Sequence, residues 1–234
     1  RVLTVDDSRT ILAMLRHTLS NAGFEVLQAE DGQQGLNVLA SETVDVVITD
    51  INMPVMDGIE FIKKVRSSGE HNSLPILILT TETSQDKRDQ GRAAGGTGWI
   101  VKPFDPEKLI SVIHRVATEG APPEGVHNVR MSDLDDFKAT YFDECSELLT
   151  ELEEQFAAIE SGERTADRLN AVFRAIHSIK GGGGAFGFSE LVAFAHAYET
   201  LLDHVRDGRI ELNETVSVLC VRANDIVADF VAAA

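Results

Sequence analysis

Residues 44–58, VDVVITDINMPVMDG, hold a short β-rich run, Asp45–Thr49, that stops on a carboxylate at Asp50 and turns through Met53-Pro54 to Gly58. Proline presets φ in such a turn, and the glycine opens the next helix. The same unit recurs on both sides. Arg1–Val5, Phe24–Gln28, Pro75–Thr80 and Gly98–Lys102 read as further strands, with amphipathic stretches near 8–21, 31–41, 58–68, 84–94 and 105–118 between and after them. Five strands alternating with five helices predict an α/β doubly wound five-stranded parallel sheet with helices on both faces. Ligands of such sheets bind outside the carboxyl ends of the strands, near a topological switch point.

Asp6 and Asp7 follow the first strand, Asp50 ends the third, Thr80 the fourth and Lys102 the fifth. All five are therefore expected at one sheet edge. Three carboxylates at close range repel one another unless a cation sits between them, and oxygen-only ligands with room for water suit Mg²⁺. An aspartate nucleophile, a metal, a lysine and a hydroxyl are what a phosphoryl group needs, because its transfer is mostly positioning and charge neutralisation. Taken singly, an acidic residue after a strand is a loop or a helix cap, and either Asp7 or Ser8 suits the N-cap of the first helix.

The whole chain has 234 residues, 43% hydrophobic and 25% charged, which is the balance of a folded protein. That length suits two ordinary domains. No run approaches a membrane span, and Val44 to Ile48 is interrupted by Asp45. The net charge of −17 divides unevenly, −4 over residues 1–118 and −13 over 119–234. Such a surface repels nucleic-acid phosphates and anionic membranes, so neither nucleic acid nor membrane insertion is expected. Cys145 and Cys220, in helix-like sequence, read as reduced buried thiols of a cytoplasmic protein. Beginning at Arg1 inside a strand, the chain is expected to lack its start methionine and to carry no signal peptide.

Residues 119–130, EGAPPEGVHNVR, break both periods and read as a linker or chain junction. MSDLDDF from Met131 resembles a native N-terminus, so a fusion of two proteins is one expectation. Beyond it the period is helical, with strong stretches at 133–160, 165–181, 188–207 and 212–232. Short connections such as 161–164 and 207–209 predict an all-α antiparallel helical bundle over 131–234, its last helix cut short. Within it lies HSIKGGGGAFGF, residues 177–188. His177, Lys180, Gly181 and Gly184 share one helical face. Four glycines near a helix end signal a stop, or clear a face for close approach of another backbone to an exposed imidazole. A nucleophilic histidine must be neutral, with one nitrogen held by an acceptor. Glu199, three residues after His196 on the next helix, is the best candidate acceptor, and Lys180 and His196 can offset an attached phosphate. His17, His71, His114, His127 and His204 read as solvated or ordinarily hydrogen-bonded.

TVDDS at 4–8, TDINMPVMDG at 49–58, LTTE at 79–82 and GWIVKPF at 98–104 resemble the flavodoxin-like receiver domain of response regulators, especially the single-domain CheY type, over residues 1–118. The resemblance implies that Asp50 is the phospho-acceptor. It implies Mg²⁺ held by Asp6, Asp7, Asp50 and the backbone carbonyl of Asn52, with Lys102 on the phosphoryl group. Thr80 and Trp99 take the switch positions, where a tryptophan replaces the usual Tyr or Phe. FRAIHSIKGGGGAFGF and AHAYETLLDHVRDG resemble the histidine phosphotransfer (HPt) domain of the chemotaxis kinase CheA, over roughly 132–231. That likeness makes His177 the phospho-donor, with Lys180, Glu199 and His196 around it, and it departs in lacking a fifth helix. No kinase segment follows, so a separate CheA-type histidine kinase core is expected to phosphorylate His177. The expected function is chemotaxis-type phosphoryl transfer from His177 to Asp50, the two domains being each other's partners and a flagellar motor or other target the output. A docking module, or an aspartyl-phosphate sink, is the alternative.

Overall fold

Short, mostly apolar runs of four or five residues build the first unit, because a strand covered on both faces has no solvent side to alternate with. β1 (Val2–Val5), β3 (Val46–Thr49) and β4 (Ile76–Thr80) are buried along their whole length, whereas β2 (Val26–Ala29) and β5 (Gly98–Val101) at the edges are only partly covered. The computed structural model describes residues 1–81, 84–117 and 131–234, except the side chains of 131–136. The expected linker 119–130, the end of the helix at 118 and Glu82 of LTTE lie outside these residues. The strands pair in parallel in the order β2-β1-β3-β4-β5. This is the expected doubly wound sheet, with its switch point between β1 and β3. β2 starts two residues later than its sequence suggests, since Gly23 at φ +87 and the Phe24 N–H donating to the Leu19 carbonyl at 3.0 Å still belong to the exit from the preceding helix.

Among the described residues, five helices accompany the sheet: α1 (Arg9–Asn21), α2 (Gly32–Ser41), α3 (Gly58–Ser67), α4 (Gln85–Ala94) and α5 (Pro106–Ala117). Side chains stop the first turns from fraying. Ser8, rather than Asp7, caps α1 by accepting from the Ile11 N–H, and Asp31 and Asp57 cap α2 and α3 in the same way. Arg66 on α3 staples the far end of the unit by donating to the carbonyls of His71, Leu74 and Gly95.

Among the described residues, four helices follow: α6 (Met131–Glu160), α7 (Ala166–Ala185), α8 (Ser189–Arg206) and α9 (Glu214–Ala233). The chain divides into two compact units at Phe137 and Lys138, inside α6. Leu152, Phe156, Ile176, Ile179, Leu202 and Val227 share one core, and Cys145 and Cys220 are free and buried. Gly162, Gly187 and Gly208, with φ of +108, +77 and +70, close the short connections. Among the described residues, no helix is long and apolar enough to cross a membrane.

The glycine run corrects one expectation. α7 does not stop at Gly181 but carries its glycines inside the helix to Ala185. At Gly182 and Gly183 the space is already used: the buried ring of Tyr141 on α6 lies there, its hydroxyl donating to the Ile179 carbonyl at 2.9 Å. A Cβ at Gly182 would sit 2.5 Å from two Tyr141 ring carbons. Overpacking of about 1–3 kcal/mol opposes a helix-propensity gain of about 1 kcal/mol. Gly182→Ala is expected to lower the urea midpoint of the helical unit by the difference, and unchanged stability would show that the ring can yield.

Candidate functional sites

The polar residues of the first unit gather where β1 and β3 end. Backbone bonds set them in place: the Asp6 N–H donates to the Ala29 carbonyl at 3.1 Å and the Asp50 N–H to the Val5 carbonyl at 2.9 Å. Both side chains are buried, so their charges face one another in a low dielectric. Lys102 reaches between them, its Nζ donating to Asp6 Oδ2 at 2.6 Å and to Asp50 Oδ2 at 2.8 Å. Its own N–H donates to the Thr80 carbonyl at 2.9 Å, which ties the ends of β4 and β5 together. The other oxygens are held as well: Asp6 Oδ1 accepts from the Ser8 N–H at 3.0 Å and Asp50 Oδ1 from the Ile51 N–H at 2.6 Å. Thr80 is fully buried at the end of β4, and Asn52 is half-buried two residues after Asp50.

Asp6, half-buried Asp7 and Asp50 each offer an oxygen, and these atoms lie within 4.8 Å of one another. The donor set is oxygen only and one lysine does not neutralise three carboxylates, so the residues fit a hard divalent cation. Burial pushes the Asp6 carboxyl up to about 6; Lys102 opposes the rise and Asp50 adds to it. Burial would lower the Lys102 ammonium, but Asp50 and Asp6 outweigh it and hold the group above its ordinary value. Between the unfolded carboxyl value near 4 and about 6 the folded chain therefore binds the extra proton. Metal-free stability from this group is present at low pH and lost as pH rises through 6. A divalent cation would compete with that proton, so its affinity is expected to fall by up to about tenfold per pH unit below 6. Trp99, the chain's one tryptophan, can report the titration. An affinity flat from pH 7 to 5 would contradict the assignment.

Trp99 on β5 is half-buried against the core of the first unit, and its Nε1 is buried without a hydrogen-bond partner among the described residues. Gly91 on α4 makes room for it, since a Cβ there would lie 3.0 Å from Trp99 Cζ3 and 2.7 Å from Ile78 Cδ1. Arg88 lies over the indole, 6.0 Å from its centroid. Val55, five residues after Asp50, is 82% exposed and holds φ at +63, a conformation costly for a β-branched residue.

In the second unit α7 and α8 bring His177, Lys180 and Glu199 together. His177 Nδ1 pairs with Glu199 Oε1, and the Lys180 ammonium donates to Glu199 Oε2. Burial raises the Glu199 pKa, but His177 and Lys180 outweigh it and hold the carboxyl below its ordinary value. His196 stands outside this group, its side chain 70% exposed and its Nδ1 3.9 Å from Glu199 Oε2. The expectation of an exposed imidazole is corrected. His177 is 2% exposed, because its ring packs on Phe173 one turn earlier (centroids 5.9 Å apart, planes at 22°) while Glu199 closes one edge. Sequence reasoning missed Phe173, whose spacing from His177 is that of an ordinary core residue.

Residues 2–114 match the family model of the response regulator receiver domain, and residues 136–226 that of the Hpt domain. The chain is 48% identical over 102 residues to the chemotaxis protein CheA of Rhizobium meliloti (strain 1021), covering 44% of this chain and 14% of that one. It is 36% identical over 135 residues to the response regulator MprA of Mycobacterium sp. (strain KMS), covering 58% of each. It thus spans only part of both curated relatives. Among solved structures, the chemotaxis protein CheY4 of Vibrio cholerae is 51% identical, with a TM-score of 0.48 and coverage of 49% of this chain and 96% of that one.

Proposed function

Since the chain belongs to the two-component phosphorelay proteins, joining a response regulator receiver domain to an Hpt domain, we propose that it passes a phosphoryl group from His177 to Asp50 in the presence of Mg²⁺. The observation that carries the reading is the Lys102 ammonium bonded to both Asp6 and Asp50, beside carboxylate oxygens spaced for a divalent cation.

On the donor side Glu199 accepts the Nδ1 proton of His177, which directs the imidazole lone pair to Nε2. That nitrogen takes the phosphoryl group from a kinase, and Lys180 offsets part of the added charge, about two negative units. On the acceptor side a carboxylate oxygen of Asp50 attacks phosphorus in line as the N–P bond breaks, and the electron pair returns to the imidazole. Lys102 leaves its ion pair with Asp50 to meet the phosphoryl oxygens. Asp6, Asp7, Asp50 and the backbone carbonyl of Asn52 would hold the cation, which when bound neutralises charge developing on those oxygens. Thr80 then donates to a phosphoryl oxygen, and Trp99 follows it as the biased two-state element behind an output surface.

The identity to CheA supports a CheA-type kinase core as the source of phosphate in a chemotaxis-type pathway. The output target, a flagellar motor or another protein, would read the face that Thr80 and Trp99 control. The test follows labelled phosphate from such a kinase core onto the full chain, with Mg²⁺ added afterwards. Label is expected on His177 first and on Asp50 after Mg²⁺, and His177→Gln is expected to take none from the kinase. Label that stays on His177 with Asp50 intact overturns the transfer. Rapid loss as inorganic phosphate would instead make the receiver a sink.

A further inference from the structure

Phe173, already stacked on the His177 imidazole, carries a second partner. The guanidinium carbon of Arg206, in the last turn of α8, sits 4.2 Å from the Phe173 ring centroid. Asp203, one turn earlier, holds that guanidinium by accepting from Nη1 at 3.1 Å. Phe173 is 3% exposed, whereas the Arg206 side chain is one-third exposed, so the series runs from the surface of α8 to the buried imidazole. Glu199 fixes one edge of that imidazole through Nδ1. A ring stacked on its face opposes tilting of the imidazole plane, and a cation on the same ring holds the stack.

We propose that Arg206, acting through Phe173, is a positioning residue that holds the plane of the His177 imidazole and thereby sets how fast phosphoryl groups enter and leave it. Arg206 touches neither reacting atom. Its planar guanidinium stacks where an ammonium cannot, so lysine is a poor substitute. The inference rests on His177 being the phosphorylated residue.

The experiment phosphorylates the full chain with a CheA-type kinase core and labelled ATP, comparing wild type, Arg206→Ala, Arg206→Lys and Arg209→Ala. Arg209 pairs with Asp207 outside the stack and serves as control. Arg206→Ala is expected to lower the maximal rate at His177 about tenfold with little change in the half-saturating chain concentration. Arg206→Lys is expected to recover only part, and Arg209→Ala to match wild type. Nitrogen NMR of the unphosphorylated imidazole supplies the readout that a merely structural role would not move. Wild type is expected to show one dominant tautomer protonated at Nδ1, and Arg206→Ala a mixture. A wild-type rate and tautomer in folded Arg206→Ala overturn the proposal, as does a tenfold loss with the tautomer unchanged. No label on wild-type His177 would instead overturn the reading beneath it.

Discussion

Replacing Asp50 by Asn is expected to abolish phosphate acceptance and, at the same time, to make the metal-free receiver more stable. Acceptance fails because the amide has no carboxylate oxygen to attack phosphorus, while Lys102, Thr80 and the remaining carboxylates cannot substitute for it. The stability gain has a separate cause. Asp6 and Asp50 are both buried and both lean on one lysine, and each disfavours the ionised form of the other. Asn keeps the shape and removes one charge, and Lys102 retains Asp6 at 2.6 Å. Relief of about 1 kcal/mol is expected, a rise of roughly 4–8 °C in the melting temperature of a domain this size. Saturating Mg²⁺ should erase or reverse the difference, because the wild-type site binds the ion more tightly and gains stability by mass action. Melting both proteins with and without Mg²⁺, alongside label transfer, tests the two halves independently. A variant that melts lower than wild type without metal would mean that Lys102 stabilises Asp50 by more than the paired carboxylates cost.

The receiver's fold and the place of its acidic site were legible because backbone periodicity alone decides them. Apolar runs bounded by Gly, Pro and acidic residues mark parallel strands, and in a doubly wound sheet their carboxyl ends must meet at one edge. Asp6, Asp50, Thr80 and Lys102 needed no further information to be placed together. What escaped depends on contacts between distant residues. The glycines after His177 read as the end of a helix, yet α7 runs through them to Ala185, and Gly182 and Gly183 are packed by Tyr141, some forty positions earlier. The imidazole was expected to be exposed because nothing in HSIKGGGG shows that Phe173 would cover its face. Arg206 lies 29 positions beyond His177, and only the packing of α8 on α7 relates the two. Glu199 was within reach of inference because a neutral histidine demands an acceptor. A stacking partner answers no such demand and leaves no signature.

Gly58 shows how far a correct local reading can understate a residue, and Gly58→Ala is the second large effect expected. Its position as the first residue of α3 after the Asp57 cap explains a small residue but does not require glycine. The requirement comes from the other direction. A Cβ on Gly58 would lie 1.9 Å from the carbonyl oxygen of Asp50 and 3.0 Å from the Ile51 Cα, both backbone atoms that no rotamer change can move. The same loop is pinned by the Gly58 N–H donating to the Ile51 carbonyl at 2.8 Å and by the Thr49 hydroxyl donating to the Asp50 carbonyl at 2.9 Å. Accommodating one methyl therefore means displacing the peptide that carries Asp50. The cost should exceed ordinary overpacking and reach about 3 kcal/mol or more, well above the helix-propensity gain of about 1 kcal/mol. Because the displaced atoms belong to Asp50, surviving folded protein should also accept phosphate poorly under conditions where its melting curve is still on the folded baseline. Gly69→Ala separates the two effects. Gly69 has φ +78 and open space around its Cβ position, so alanine there should cost about 1 kcal/mol through strain alone. Its phosphate acceptance should match wild type. Equal acceptance by Gly58→Ala and Gly69→Ala at matched folded fraction would mean that the β3–α3 loop absorbs the methyl without moving Asp50.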